Sequence, residues 1–475
     1  MKDQTEYPVE NTQSYLTKSS LSERDAAVIW HPFTQHQTAP FSIPIVRGEG
    51  TYLYDDSGKR YIDAISSWWV NLHGHSHPYI AQKVAEQFLK LEQVIFAGFT
   101  HEPAVRLAER LLEILPKNQA KIFYSDNGST AVEVALKMAI QYFHNQGFTK
   151  KRKVIALENG YHGDTFGTMA VGAKSAFNAP FEGFLYETLY LPTPIKGQES
   201  TALEAMKILM GNADEMACFI FEPLIQGAGG MVMYEPEILE ELITLAKQNN
   251  VLTIADEIMT GFGRTGKMFA TDYLETKPDI FCLSKGLTGG AMALGVTSCT
   301  QEIYEAFLSE DRKKTLFHSH SFTANPLACT AGLASLDLLL TKETDCKILN
   351  INRLHNGFKN KLLGNVAGGD TNHGAKFKTK LLRNAVSGDT DHGTLFHPKI
   401  TDIRIKGTIL VLELCTPEGT SYFSNIRDIA YKFFIERGIL IRPLGNVIYL
   451  LPPYCISEED LRYIYDCIEE FLEVI

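Results

Sequence analysis

In the segment DIFCLSKGLTGG (279–290), Lys285 stands directly after a short apolar run and among glycines that let a flat ligand approach. A lysine at the end of a buried strand loses solvent, its pKa falls, and its amine becomes a nucleophile toward carbonyls. Taken alone, the position also fits a solvated turn. Asp256 closes a second apolar run, VLTIAD (251–256). A carboxylate there can keep a pyridine-type ring nitrogen protonated, which turns the ring into an electron sink; it can equally cap a helix or turn. In KIFYSDNGST (121–130) a strand runs into Asn127, Gly128, Ser129 and Thr130 ahead of a good helix. Free backbone N–H groups and the positive end of the helix dipole suit a phosphate at such a turn, although Ser129 or Thr130 also serves as a plain N-cap. Tyr161, in NGYHGD (159–164) after the run VIAL, is an aromatic at a further strand end, where it can stack on a planar ring or simply occupy a loop.

These residues need a scaffold that gathers strand ends. From about 78 to 335, apolar runs such as AKIFYSD, RKVIALENGY, MACFIFEPL and NVLTIADE alternate with amphipathic helices. The alternation predicts an α/β domain with a mostly parallel sheet covered on both faces and ligands at the carboxyl ends of its strands. Before it, RGEGTYLYDDSGKRYIDAIS (47–66) has aromatic and β-branched residues on both sides of the turn signal DDSGK, which predicts a hairpin. Near 336 a helical stretch begins; after 400 come the strand TILVLEL, a helix around NIRDIAYKFFIERG, the strands ILIRP and VIYLLPP and a last helix from Ser457. The expected organisation is a polar leader over 1–20, an N-terminal part of a small domain over 21–77, a large domain over 78–335 and a small C-terminal α+β domain over 336–475. Within the last, KLLGNVAGGDTNHG (361–374) recurs as KLLRNAVSGDTDHG (380–393). Two copies are too few to bury a solenoid core, so the duplication reads as a surface insertion.

A chain of 475 residues with 45% hydrophobic and 21% charged residues suits two or three globular domains. It has no uncharged apolar stretch of about 18 residues, so no membrane span is expected. The polar N-terminus lacks an apolar secretory core, and the cytoplasm is the expected address. A net charge of -11 argues against a nucleic-acid or anionic-membrane surface and points to small-molecule partners. The eight cysteines include no CxxC pair and read as buried thiols. His73, His75 and His77 alternate in HGHSHP, but no acidic or cysteine partner stands near them in sequence, so no metal site is expected.

Together, GSTAVEVALKMA, NGYHGDTFG, FEPLIQGAGG, ADEIMTGFGRTG and LSKGLTGG, in this order and spacing, resemble the class III (ω-type) aminotransferases of pyridoxal-phosphate fold type I. The likeness runs from about residue 24 to the C-terminus, leaving out the 361–400 insertion. It implies a seven-stranded type of sheet in the large domain, pyridoxal 5′-phosphate as cofactor, and a homodimer with shared active sites. It further implies that Lys285 carries the cofactor as a Schiff base and shuttles a proton, while Asp256 pairs with the pyridine nitrogen. By the same matching Gly128 and Ser129 hold the phosphate, Tyr161 stacks on the ring and Glu222 orients the cofactor or substrate side. Ser319, His320 and Ser321, in HSHSFTANP, match a stretch that closes over the phosphate of the neighbouring subunit; the family commonly has threonine at the position of Ser321.

Within the family, WHPFTQ (30–35), SSWWVNLHGHSHP (66–78), THEPA (100–104) and IRPLGNVIYLLPPY (441–454) resemble the members that convert 8-amino-7-oxononanoate to 7,8-diaminononanoate in biotin synthesis. The resemblance makes Trp68 and Trp69 walls of the substrate pocket, beside Tyr161, Asp164, Lys285 and Ser319. It makes Arg442 the group that grips the substrate's distal carboxylate, for which a guanidinium fork is suited. S-adenosylmethionine is the implied amino donor. Phe33 departs from the pattern, because users of that donor often have a tyrosine there; phenylalanine keeps the wall and loses the hydroxyl. Lysine is therefore the alternative donor. Other ω-aminotransferases, acting on ornithine, 4-aminobutyrate or a diamine, share the class motifs, but WHPFTQ and SSWW speak against them.

Overall fold

The computed structural model describes residues 20–367, 398–417, 422 and 424–475. The leader up to residue 19 and residues 368–393 of the duplicated 361–393 segment lie outside the described residues.

After a short helix (Leu21–Val28) come β1 (Ile45–Glu49), β2 (Tyr52–Asp55) and β3 (Arg60–Asp63), paired antiparallel in that order. The DDSGK signal makes the β2–β3 turn: Asp55 Oδ1 accepts the N–H groups of Ser57 (3.0 Å) and Lys59 (2.9 Å), and Gly58 takes φ 85°. A side-chain acceptor plus a glycine in the left-handed region is the usual chemistry of such a turn.

Seven strands then build the central sheet: β4 (Gln119–Ser125), β5 (Lys153–Leu157), β6 (Thr188–Leu191), β7 (Met216–Phe221), β10 (Leu252–Asp256), β11 (Ile280–Leu283) and β12 (Gly295–Thr300). A two-strand excursion, β8 (Ile225–Gln226) with β9 (Val232–Met233), interrupts them. The order is β4-β12-β11-β10-β7-β5-β6, and β12 alone runs against the others. Every residue of β7, β10 and β11 is buried. Phe219 and Phe221 of β7 enter one core cluster while Cys218 and Ile220 enter the other, so both faces are covered. That explains the unbroken apolar runs where a one-faced sheet would alternate. Helix Gly128–Asn145 packs on one side, against β12, β11 and β7. Helix Pro236–Gln248 packs on β10 and β7 from the other cluster.

The C-terminal part adds β13 (Ile400–Lys406), β14 (Ile409–Leu414), β15 (Ile439–Leu440) and β16 (Val447–Leu450). β13, β14 and β16 form an antiparallel sheet, whereas β15 pairs in parallel with β3 and so joins the two ends of the chain in one sheet. β13 carries no strand assignment in the sequence reading, because ITDIRIK is only partly buried and mixes charges with isoleucines. Residue 336, offered as a domain boundary, falls inside helix Pro326–Leu339; the break comes at Leu340. Three thiols also differ from expectation: Cys346 and Cys415 are exposed and Cys455 is half-buried, while Cys218, Cys282, Cys299, Cys329 and Cys467 are buried. Among the described residues no helix is long and apolar enough to cross a membrane.

Candidate active site

Because β4, β5, β7, β10 and β11 point the same way, the residues that follow them meet at one edge of the sheet. There Gly128, Ser129, Tyr161, Glu222, Asp256 and Lys285 line a single cavity of about 370 Å³, walled on one side by Trp69.

Lys285 leaves β11 with φ 44°, a left-handed backbone that non-glycine residues rarely adopt and that costs roughly 1–3 kcal/mol. Its neighbours hold it there. Ser284 Oγ donates to Leu294 O (2.7 Å), and Gly286 packs so closely that a Cβ would lie 3.2 Å from Leu72 Cδ1 and 3.3 Å from Phe262 Cδ2. The Lys285 ammonium position lies 4.5 Å over the Trp69 ring. Burial lowers the amine to about 8 despite the opposing pull of Asp256 and Glu222, and the Arg264 cation pushes the same way as burial.

Asp256, at the end of β10, is buried with its Oδ2 2.8 Å from His162 Nδ1, and its Oδ1 accepts the N–H of Ile258 (3.2 Å). Glu222 follows β7 and spans two loops: Oε1 accepts Tyr161 N–H and Oε2 accepts Gly227 N–H, each at 2.9 Å. Burial raises its carboxyl to about 7. Tyr161 donates its hydroxyl to Asp164 Oδ2 (2.9 Å), and burial of that hydroxyl raises its pKa.

At the start of helix Gly128–Asn145 the cap is reciprocal: Asn127 Oδ1 accepts Thr130 N–H and Thr130 Oγ1 accepts Asn127 N–H, both at 3.0 Å. Thr130 is thereby used for capping. The N–H groups of Gly128 and Ser129 and the Ser129 hydroxyl have no partner among the described residues. Gly163, at φ 130°, approaches so closely that a Cβ would overlap Ser129 Oγ, and a Cβ at Gly128 would lie 3.0 Å from Ile258 Cδ1.

On the open side, Trp68 lies half-exposed with the Arg442 guanidinium carbon 4.7 Å over its ring, and Phe33 meets it edge-on at 5.7 Å. Trp69 is buried and donates Nε1–H to the Tyr449 hydroxyl (2.9 Å). Asp164 touches the site only through Tyr161. Ser319, His320 and Ser321 do not line this chain's cavity. Ser319 and Ser321 are exposed, and His320 Nδ1 lies 3.4 Å from Asp126 Oδ2, beside the helix cap.

The histidine loop corrects one expectation. His75 does have an acidic partner, Asp63 Oδ2 at 2.9 Å, which sequence separation hides; His73 bonds Ser335 Oγ at 3.0 Å. Among the described residues no group of three metal ligands forms. Sequence reasoning quoted His162 but gave it no role, because its partner Asp256 is 94 positions away and no local spacing reports the contact.

The donor set fits pyridoxal phosphate: an amine of lowered basicity, a carboxylate fixed by a histidine, an aromatic, and orphan N–H groups at a helix N-terminus over a glycine cradle. The chain belongs to the class-III aminotransferases, a pyridoxal-phosphate-dependent family whose pattern it matches over residues 33–366. It is 44% identical over 455 residues to the adenosylmethionine-8-amino-7-oxononanoate aminotransferase of Synechococcus elongatus, spanning 94% of this chain and 99% of that one. To the protein of the same name in Helicobacter pylori it is 36% identical, over 94% and 96% of the two chains. The crystal structure of adenosylmethionine-8-amino-7-oxononanoate aminotransferase from Methanocaldococcus jannaschii superposes with TM-score 0.83 at 34% identity, over 95% of this chain and 98% of that one. The omega transaminase of Pseudomonas jessenii in complex with PMP superposes with TM-score 0.82 at 25% identity, over 96% and 98%.

Proposed function

We propose that this enzyme transfers an amino group to 8-amino-7-oxononanoate, giving 7,8-diaminononanoate, with S-adenosylmethionine as donor. One observation carries the reading beyond the class: Lys285 Nζ lies 4.5 Å over Trp69, and the next ring along the chain, Trp68, carries Arg442 at 4.7 Å. An amine for a carbonyl and a guanidinium for a carboxylate thus face consecutive aromatic walls. A long keto acid, polar at both ends and apolar between, matches that order of groups.

When bound, pyridoxal phosphate supplies the electron sink that stabilises charge left by proton removal. Gly128 and Ser129 would hold its phosphate through their N–H groups, with the helix dipole behind them. Asp256, oriented by His162, would pair with the ring nitrogen, and Tyr161 would stack on the ring. Glu222 braces Tyr161 through the main chain. Lys285 Nζ would take up and release the proton at the substrate carbon bearing nitrogen, a role that requires the neutral amine burial favours. Trp68, Trp69 and Phe33 exclude water, and Arg442 anchors the far carboxylate.

The reading includes a homodimer in which Ser319, His320 and Ser321 reach the partner's phosphate site. It is supported by large apolar side chains left exposed on this segment, Phe317 and Phe322, and on the 88–99 stretch, Phe88, Leu89 and Phe99. Gln93 Nε2 bonds Ser321 O (2.8 Å) and ties the two stretches together. The proposal also keeps a large unit beginning at 78 and a smaller one made of 21–77 and the C-terminal part, with their boundary moved from 335/336 to the helix end at Leu340, and a cytoplasmic location.

Holoenzyme mixed separately with S-adenosylmethionine and with lysine tests the donor. Loss of the visible cofactor absorbance with S-adenosylmethionine, followed by 7,8-diaminononanoate on adding 8-amino-7-oxononanoate, is expected. Bleaching by lysine alone overturns the donor. Failure of 8-amino-7-oxononanoate alongside turnover of ornithine or 4-aminobutyrate overturns the substrate.

A further inference from the structure

The turn that carries both tryptophans is built from residues poorly suited to it. Ser66, Ser67 and Trp69 have φ of 53°, 61° and 68°, and Ser67 combines its φ with ψ -86°, the rare γ-turn form. No glycine relieves this, so surrounding bonds must impose the conformation.

We propose that Asp63 is a positioning residue that imposes it, and that the Asp63–His75–Asn71 network thereby sets where Trp68 and Trp69 stand for the substrate. Asp63 is fully buried at the end of β3. Its Oδ2 accepts Ser67 N–H (2.6 Å), Ser67 Oγ–H (3.2 Å) and a bond from His75 Nε2 (2.9 Å), while Oδ1 accepts Ile65 N–H (3.2 Å).

The histidine's direction follows from its other neighbour. Gly74 N–H donates to Asn71 Oδ1 (2.7 Å), so the Asn71 amide nitrogen faces His75 Nδ1 at 3.2 Å. That nitrogen can only donate, so Nδ1 accepts and the ring proton sits on Nε2, aimed at Asp63. The network is anchored at both ends. Arg264, itself buried, donates from Nη2 to Asn71 O (3.0 Å) and from Nη1 to Pro452 O (2.9 Å), and Ser66 Oγ donates to Leu451 O (2.7 Å). The wall facing Lys285 is therefore referenced to β3, to the histidine loop and to the C-terminal segment together. His75, which the metal reading left without a task, holds the carboxylate that holds the turn.

The inference rests on the proposed substrate only for its kinetic readout. Asp63→Asn presents an N–H2 to donors on two sides and should release the turn. In cofactor-loaded Asp63→Asn we expect KM for 8-amino-7-oxononanoate to rise about tenfold or more with a smaller change in kcat. Adding Ser67→Gly, which accepts the backbone form without the carboxylate, should recover most of the loss. The chain has three tryptophans, so in a Trp30→Phe background the emission reports Trp68 and Trp69 alone. Acrylamide quenching of that emission should increase in Asp63→Asn, whatever the substrate. Unchanged quenching overturns the proposal; unchanged quenching in an enzyme that ignores 8-amino-7-oxononanoate overturns both readings, while increased quenching in such an enzyme overturns only the substrate. If Asp63→Asn does not fold, the same quenching in His75→Ala decides in the same direction.

Discussion

At Lys285 burial outweighs two neighbouring carboxylates, and the sign has measurable consequences. The folded amine sits near 8 against an ordinary 10.5. Between those values the unfolded chain holds a proton that the folded chain has released, so cofactor-free protein should gain stability as pH rises through this window. Melting curves of cofactor-free wild type and Lys285→Met should differ in slope there, with the variant flatter; equal slopes would contradict the lowered pKa. Removal of the amine by Lys285→Ala should abolish the visible cofactor absorbance and reduce turnover by roughly 10²–10⁴ or more, as loss of a proton-transfer group does. Arg442→Ala should separate the two half-reactions. Loss of a charge-assisted contact worth roughly 1.5–3 kcal/mol should raise KM for the keto acid about tenfold to a hundredfold and leave the donor half-reaction largely intact. A parallel fall in both halves would mean that Arg442 supports the fold and does not bind the carboxylate.

At the scale of elements, the phosphate cradle depends on one helix start and one glycine. Gly163→Ala adds a methyl that overlaps Ser129 Oγ at a backbone angle of 130°, so it should weaken cofactor binding by at least about tenfold, near 1.4 kcal/mol. Absorbance titration of cofactor-free protein measures this, and unchanged affinity would exclude Ser129 from the cradle. The strands of the central sheet were legible because burial on both faces leaves long apolar runs such as MACFIF and IFCL. β13 was not, since a partly buried strand with Asp402, Arg404 and Lys406 has no such run. Helix Pro326–Leu339 had no assignment of its own for a related reason: PLACTAGLASLDLL is apolar nearly all round and lacks helical periodicity.

For the whole molecule, cofactor and assembly should both register in stability. A ligand bound only by the folded state adds about 2.7 kcal/mol at a hundred times its Kd, so removal of pyridoxal phosphate should lower the melting temperature by several degrees. An unchanged melting temperature would deny the cavity its ligand. Sedimentation should give a dimer, and replacing the exposed Phe322 with glutamate should shift it toward monomer with loss of activity; an active monomer would remove Ser319–Ser321 from the site.

The residue types and their order along the chain marked the strand ends, and the family resemblance their motifs carry implied the class of chemistry. A lysine, an aspartate and a small-residue turn, each after an apolar run, report strand ends, because burial and backbone pairing leave a local trace. What only the tertiary structure decided was who touches whom across distance. His162 fixing Asp256, Asp63 holding the Trp68–Trp69 turn through His75, and β15 joining β3 are contacts between segments remote in sequence, and no local periodicity encodes a partner far along the chain. Close packing selects those pairs only after the sheet has brought its strand ends to one edge.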